Sequence, residues 1–250
     1  MKRLSAALLL AAAPLLAAPA QAFDISAMTT EEREAFNQAV RDYLMENPEV
    51  LIESINVLES RQAEASAQND VDIVAKHQDA IFQDGHSWIG GNPDGDLTMV
   101  EFIDYRCGVC RQFNQEVHDA VEEDGNIRLI LKEFPILGED SEQSSRFAIA
   151  VHQLAGDQAY AAAHEALITL RAPATAEALR GIAQQIGVDA DQVMERMEAA
   201  PVTEVLRKNH ELGQQMAIQG TPTFIIGEQM LRGVPRAGVA ATIADIRANM

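Results

Sequence analysis

Leu97-Thr98-Met99-Val100-Glu101-Phe102-Ile103-Asp104-Tyr105-Arg106-Cys107-Gly108-Val109-Cys110 is the stretch from which the rest of the chain is best read. Its first seven residues, Leu97 to Ile103, form a near-continuous apolar run of strand length. Such a run suits an interior strand covered on both faces. Helical spacing follows over residues 107–123, with Phe113 and Val117 on one side. Cys107 therefore stands at a helix N-terminus, where unpaired amides and the helix dipole favour an anion. A thiol in that setting is expected to ionise at a pKa of about 3.5–7.5. Cys110 lies one turn on, and positions i and i+3 are neighbours on a helix. It is close enough to attack a mixed disulfide formed on Cys107.

These are the chain's two cysteines, so the pair has to be weighed as a whole. A structural bridge across so short a loop would remove only about 2 kcal/mol of unfolded-state entropy. Zinc asks for about four ligands. There is no second cysteine pair, and histidines 77, 86, 118, 152, 164 and 210 make no short ligand-spaced pair, so no metal ligand is assigned. Two thiolates could hold soft Cu(I). Redox exchange, a Cu(I) site and a structural bridge remain as readings, and the strand-to-helix setting favours the first.

Working outward, Ile127 to Lys132 reads as a second strand, stopped by Phe134-Pro135. Residues 141–218 carry helical stripes such as Phe147, Ala150, Val151 and Leu154, and Gly156, Pro173, Gly187 and Pro201 divide them into about four helices. Thr223–Ile226 and Gln229–Arg232 flank Gly227-Glu228, a two-residue hairpin signal of the type II′ kind. Residues 236–249 finish as a helix. The order strand, helix, strand, helical block, hairpin, helix predicts a mixed α/β sheet with helices on both faces and a helical insertion over about 138–218. Gly90 to Gly95 is a dense turn cluster that marks a boundary near residue 85.

Residues 23–84 form a small helical segment ahead of that domain. Thr29-x-x-Glu32 is a capping box, and Phe36, Ala39, Val40, Tyr43 and Leu44 follow at helical spacing. Asn47-Pro48 restarts the chain, with Asn47 expected as N-cap, and Leu51, Ile55 and Leu58 make a second stripe. These stripes are too short of aromatics to close a core alone. Either they pack on the following domain or they meet copies of themselves in a homo-oligomer.

Lys2 and Arg3 precede an apolar stretch from Leu4 to Leu16, and Ala20-Gln21-Ala22 is a small-x-small cleavage site. This is the form of a secretory signal, cleaved after Ala22. The chain is thus expected in the periplasm, where disulfides form. With 250 residues and 47% hydrophobic content the chain can fill a core, which excludes disorder as its main state. A net charge of -19 argues against nucleic acid and anionic membrane as partners.

Gly220-Thr221-Pro222-Thr223 directly precedes an apolar strand. Proline is excluded from strand interiors, so Pro222 belongs at a strand entry or special turn, and a cis Thr221–Pro222 bond would suit it. Taken together, Val100-Glu101-Phe102-Ile103-Asp104-Tyr105-x-Cys107-x-x-Cys110, Phe134-Pro135-Ile136-Leu137-Gly138 and Gly220-Thr221-Pro222-Thr223-Phe224 resemble the DsbA-like branch of the thioredoxin superfamily. The likeness covers roughly residues 86–250, and Asn47-Pro48-Glu49-Val50-Leu51 onward resembles the helical N-terminal region of ScsC-like and Com1-like members. The resemblance implies a thioredoxin-like fold with a helical insertion, and thiol–disulfide exchange on exported proteins with no bound cofactor. Cys107 would be the exposed nucleophile and Cys110 the resolving thiol. Thr221 and Pro222 would face the disulfide as the cis-proline loop, and with Gly108 and Val109 would meet substrate. Glu101 matches an acidic residue that members often keep under the motif, where it could relay a proton to Cys110; Lys132 on the next strand could instead pair with it.

One departure bears on direction. Strongly oxidising members carry Pro-His between the cysteines, whereas this chain has Gly108-Val109. Valine cannot stabilise a neighbouring thiolate, so the disulfide should be less oxidising. Thr221 before Pro222 also resembles isomerase-type relatives. The expectation is a protein disulfide isomerase or reductase, with a disulfide-forming oxidase and a non-enzymatic copper-binding protein as alternatives. Its partners would be substrate proteins bearing disulfides or thiols, and a redox partner protein that resets the cysteines.

Overall fold

The computed structural model describes residues 28–249; the expected signal sequence, residues 1–22, lies outside the described residues. The chain divides into two compact units, at Ser60 and Arg61. In the first, α1 (Thr30–Glu46) opens on the expected capping box: Thr29 Oγ1 accepts from Glu32 N, and Glu32 Oε2 accepts from Thr29 N at 2.9 Å. Asn47 does not cap the next helix. Its Nδ2 donates to the Tyr43 carbonyl at 2.9 Å and so closes α1, while α2 (Glu49–Lys76) begins two residues later. Asn47 N also donates to the Tyr43 carbonyl, at 2.8 Å, so both of the residue's donors serve the end of α1. Phe36, Val40, Tyr43, Leu51, Ile55 and Leu58 are all exposed.

The second unit holds the end of α2, then α3 (Gln78–Phe82), β1 (Trp88–Gly91), β2 (Leu97–Ile103), α4 (Gly108–Asp124), β3 (Ile127–Glu133), α5 (Glu139–Thr169), α6 (Ala176–Gln185), α7 (Ala190–Met197), α8 (Ala200–Gln215), β4 (Thr223–Ile226), β5 (Gln229–Arg232) and α9 (Val239–Ala248). The sheet order is β1-β3-β2-β4-β5, with β2 and β3 parallel and the other pairs antiparallel. This is the thioredoxin-like mixed sheet, and α5–α8 are the helical insertion between β3 and β4. Gly156, at φ +78, kinks α5.

As the central strand, β2 is buried on both faces apart from Thr98. Met99 and Ile103 join Val117 of α4 and Phe147 of α5 on one side. Val100 and Phe102 join Val74, Ile81 and Leu212 on the other. The hairpin forms as expected, Ile226 pairing with Gln229 around Gly227 at φ +59. The turn cluster starts later than expected, because Gly90 and Gly91 close β1. A Cβ on Gly90 would lie 2.1 Å from the Trp88 ring, and one on Gly91, at φ +62, would lie 2.4 Å from the Ile127 carbonyl. Glycine serves close backbone approach there as well as turning.

Candidate active site

The end of β2 places both cysteines. Asp104 is fully buried, and its carbonyl accepts from Cys107 N at 3.0 Å. Its Oδ1 accepts from Arg106 N at 2.8 Å, and its Oδ2 from Ile136 N and Leu137 N at 2.8 and 3.0 Å. One carboxylate thus clamps the strand exit to the β3–α5 loop. An aspartate bonding backbone two residues on is a turn signal legible in sequence; its second set of partners is not.

Cys107 is the N-cap of α4, with Sγ accepting from Cys110 N at 3.4 Å. Its thiol also donates to the Thr221 carbonyl at 3.1 Å, which brings the Gly220–Thr223 loop against the cysteine pair. The Thr221–Pro222 bond is cis. Cys107 keeps a narrow exposed edge, Cys110 is deeper, and Gly108 and Val109 are exposed beside them. Hydrogen bonding from the Cys110 side chain, aided by Thr221 and by the Cys110 and Val109 amides, outweighs burial and holds the Cys107 pKa down to about 5. The same Cys107–Cys110 bond, with burial and the nearby Glu101, pushes Cys110 far up. One thiol is ready as thiolate and its neighbour is held protonated. Thiolate absorbance of the reduced chain should accordingly titrate near pH 5; a midpoint in the ordinary thiol range would contradict this environment.

Glu101 lies beneath the pair, 4% exposed, and burial with the Cys107 charge raises its pKa to about 8. Lys132 is not its partner. Glu101 aligns with Leu131, whereas Lys132 aligns with Phe102. Adjacent residues on a strand face opposite sides. Lys132 therefore points away, to Asp84, the Ala80 carbonyl at 3.0 Å and Ser87 Oγ at 3.4 Å. Among the described residues none hydrogen-bonds or ion-pairs with Glu101, which leaves it mostly protonated at neutral pH.

Residues 98–241 match the model of the DSBA-like thioredoxin domain. The chain belongs to this DSBA-like family. Residues 32–65 match a second model, the copper resistance protein ScsC N-terminal domain. Among solved structures, a thioredoxin-like oxidoreductase from Silicibacter pomeroyi is 35% identical, with TM-score 0.62, covering 68% of this chain and 96% of that one. Proteus mirabilis ScsC in a transitional conformation is 25% identical, with TM-score 0.65, covering 91% and 100%. A probable disulfide bond formation protein D from Bacillus anthracis is 23% identical over 54% of this chain and 67% of its own length. The resemblance read from the motifs is thus confirmed at the level of family and fold, that of DsbA-like thiol–disulfide oxidoreductases.

In this DSBA-like chain the structure gathers Cys107, Cys110, Glu101, Thr221, Pro222, Gly108 and Val109 into one locality. It also gathers groups that sequence reading passed over. Glu133, fully buried, accepts from the hydroxyls of Tyr105 and Tyr160 at 2.9 and 2.6 Å, and Tyr105 stands 3.3 Å from His164 Nδ1. His118, His164 and Glu165 bring one potential metal-ligand atom each within 4.8 Å of one another, a grouping invisible in the histidine spacing.

Proposed function

We propose that this chain is an exported, periplasmic oxidoreductase that exchanges disulfides in substrate proteins, in the isomerase or reductase direction. The observation that carries disulfide exchange is the asymmetric pair: Cys107, with a pKa of about 5 on the helix N-cap, beside the raised thiol of Cys110. The isomerase or reductase direction is read from Gly108-Val109 between the cysteines and from Thr221 before Pro222. Cys107 thiolate attacks one sulfur of a substrate disulfide, forming a mixed disulfide and expelling the other sulfur as a thiolate. In the reductase direction Cys110 loses its proton and attacks Cys107 Sγ. The second substrate sulfur leaves with its electron pair and takes up a proton, and Cys107–Cys110 becomes a disulfide. A redox partner protein then returns two electrons. In isomerisation the expelled substrate thiolate re-attacks elsewhere and the pair stays reduced.

Thr221 and Pro222 are read as the loop that pairs with substrate backbone, and the exposed Val109, Ile136 and Leu137 as its apolar rim. Glu101 is read as the group that exchanges a proton with Cys110. Replacing Glu101 by Gln in a Cys107→Ala background should change the pH profile of Cys110 alkylation; an identical profile removes the relay. The exposed stripe from Phe36 to Leu58 supports self-association, which a sedimentation mass of one chain would contradict.

The deciding assay is reactivation of a scrambled, multi-disulfide protein by the reduced chain, beside Cys107→Ala. Reactivation that needs Cys107 supports the isomerase reading. The likeness to disulfide bond formation protein D favours a second, oxidase reading, and rapid oxidation of a reduced substrate without reactivation would select it. The ScsC N-terminal match favours a copper role, selected by stoichiometric Cu(I) binding without turnover.

A further inference from the structure

An open cavity of about 620 Å³ lies beside the cysteine motif, lined by Gly108 and Gln112 of α4 and by Thr169 and three arginines, Arg106, Arg111 and Arg171. Three cations meeting in one hollow is unexpected in a chain with 38 acidic and 19 basic residues. Arg106 and Arg111 are held in place. Arg106 Nη1 donates to the Leu170 and Ala172 carbonyls at 3.3 and 3.0 Å, and Arg111 Nε donates to the Ile168 carbonyl at 2.9 Å. Arg111 Nη2 also donates to Leu170 O. Those bonds cap the end of α5 and leave the charge largely uncompensated. Among the described residues, the only carboxylate paired with the three is Asp140, 3.5 Å from Arg106. Arg171 is exposed and has no hydrogen bond or ion pair among them. The charges act on one another: burial, then Arg106 and Arg171, lower the Arg111 pKa. Like charges crowded with a single carboxylate among them are relieved by an incoming anion, and guanidinium planes match carboxylates in a bidentate fork.

We propose that Arg106, Arg111 and Arg171 form a cationic subsite next to Cys107 that receives an Asp- or Glu-bearing segment flanking the reacting disulfide of a protein partner. The proposal rests on the exchange reading above and adds the class of partner. Against a net charge of -19, which repels acidic proteins at long range, this hollow favours the docking pose that sets the acidic flank beside the sulfur.

The test uses the full chain and three disulfide probes: a peptide with Asp and Glu flanking its disulfide, the same peptide with Asn and Gln, and glutathione disulfide. The acidic peptide should form the mixed disulfide about fivefold faster than its amide twin at low salt, as two partly exposed ion pairs allow. That ratio should fall with added salt and drop towards one in Arg171→Gln, and Arg171→Glu should invert it. Equal rates for the two peptides in the unaltered chain would overturn the subsite and leave the exchange reading intact. A gain confined to glutathione disulfide would overturn the protein-segment assignment. Absence of exchange with every probe would count against the exchange reading. Fluorescence anisotropy with cysteine-free versions of the two peptides then decides the subsite by itself, tighter binding of the acidic one supporting it and equal binding removing it.

Discussion

Replacing Cys107 by serine is expected to lower the rate of disulfide exchange on the order of a thousandfold or more, the scale on which loss of an attacking nucleophile acts. A serine hydroxyl at the same N-cap still receives the Cys110 amide, so helix α4 and the fold should survive. Circular dichroism should therefore be unchanged while turnover disappears. The companion variants separate the two thiols. Cys110→Ser keeps the nucleophile and removes the resolving sulfur, so substrate should accumulate as a mixed disulfide on Cys107, visible as a mass adduct. Cys110→Ala removes the hydrogen bond that does most to hold the Cys107 pKa at about 5, and the thiolate titration should move upward. Exchange that persists in Cys107→Ser would transfer the chemistry to another group and dismantle the mechanism above.

Asp84→Ala should cost about 3–5 kcal/mol of folding stability, more than any surface change in this chain. Lys132 is fully buried on β3, and Asp84 supplies its counter-charge. Removing that carboxylate leaves an ammonium with only the Ala80 carbonyl and Ser87 Oγ. Replacing both residues by apolar ones of similar volume, Asp84→Leu with Lys132→Met, should recover most of the loss, because the penalty lies in the orphaned charge. Burial alone would raise the Asp84 pKa, yet the charge and hydrogen bond of Lys132, with Ser87 and the His86 amide, hold it well below the usual range. A carboxylate depressed in the folded state stabilises above its unfolded pKa of about 3.9, and that stability declines as pH falls through the folded value. The acid limb of the stability curve should therefore flatten in the double variant. Chemical denaturation across pH measures each of these. An Asp84→Ala loss below about 1 kcal/mol would mean that Lys132 is neutral or finds water.

The same pair bears on how the N-terminal segment is removed. Removing the segment up to residue 84 would take Val74 and Ile81 from the core and would delete Asp84, the partner of Lys132. Cutting at Arg61, where the second compact unit begins, keeps them. A chain starting there is the cleaner probe of what the exposed stripe on α1 and α2 contributes.

Much of this molecule was legible from the chain alone, wherever the determining forces act between near neighbours. An apolar run of strand length, a thiol at a helix start with a second thiol one turn on, a Gly-led hairpin and a proline at a strand entry are local patterns, and each appears where it was read. The errors and omissions share the opposite character. Lys132 stands in the sequence as one of two alternatives for Glu101, but strand register aligns it with Phe102 and turns it to the other face, where Asp84 waits. Asp104 reads in the sequence only as part of the motif, with no hint that it ties the motif to Ile136 and Leu137. Nothing in the residues around Arg171 signals that the end of α5 brings it to Arg106 and Arg111. Register and helix docking are set by pairing between remote segments, and no window along the sequence contains both sides of such a pairing. The sequence alone singled out the candidate atoms for the chemistry; the tertiary structure decided their charge states and their neighbours, because burial and pairing arise only when distant segments meet.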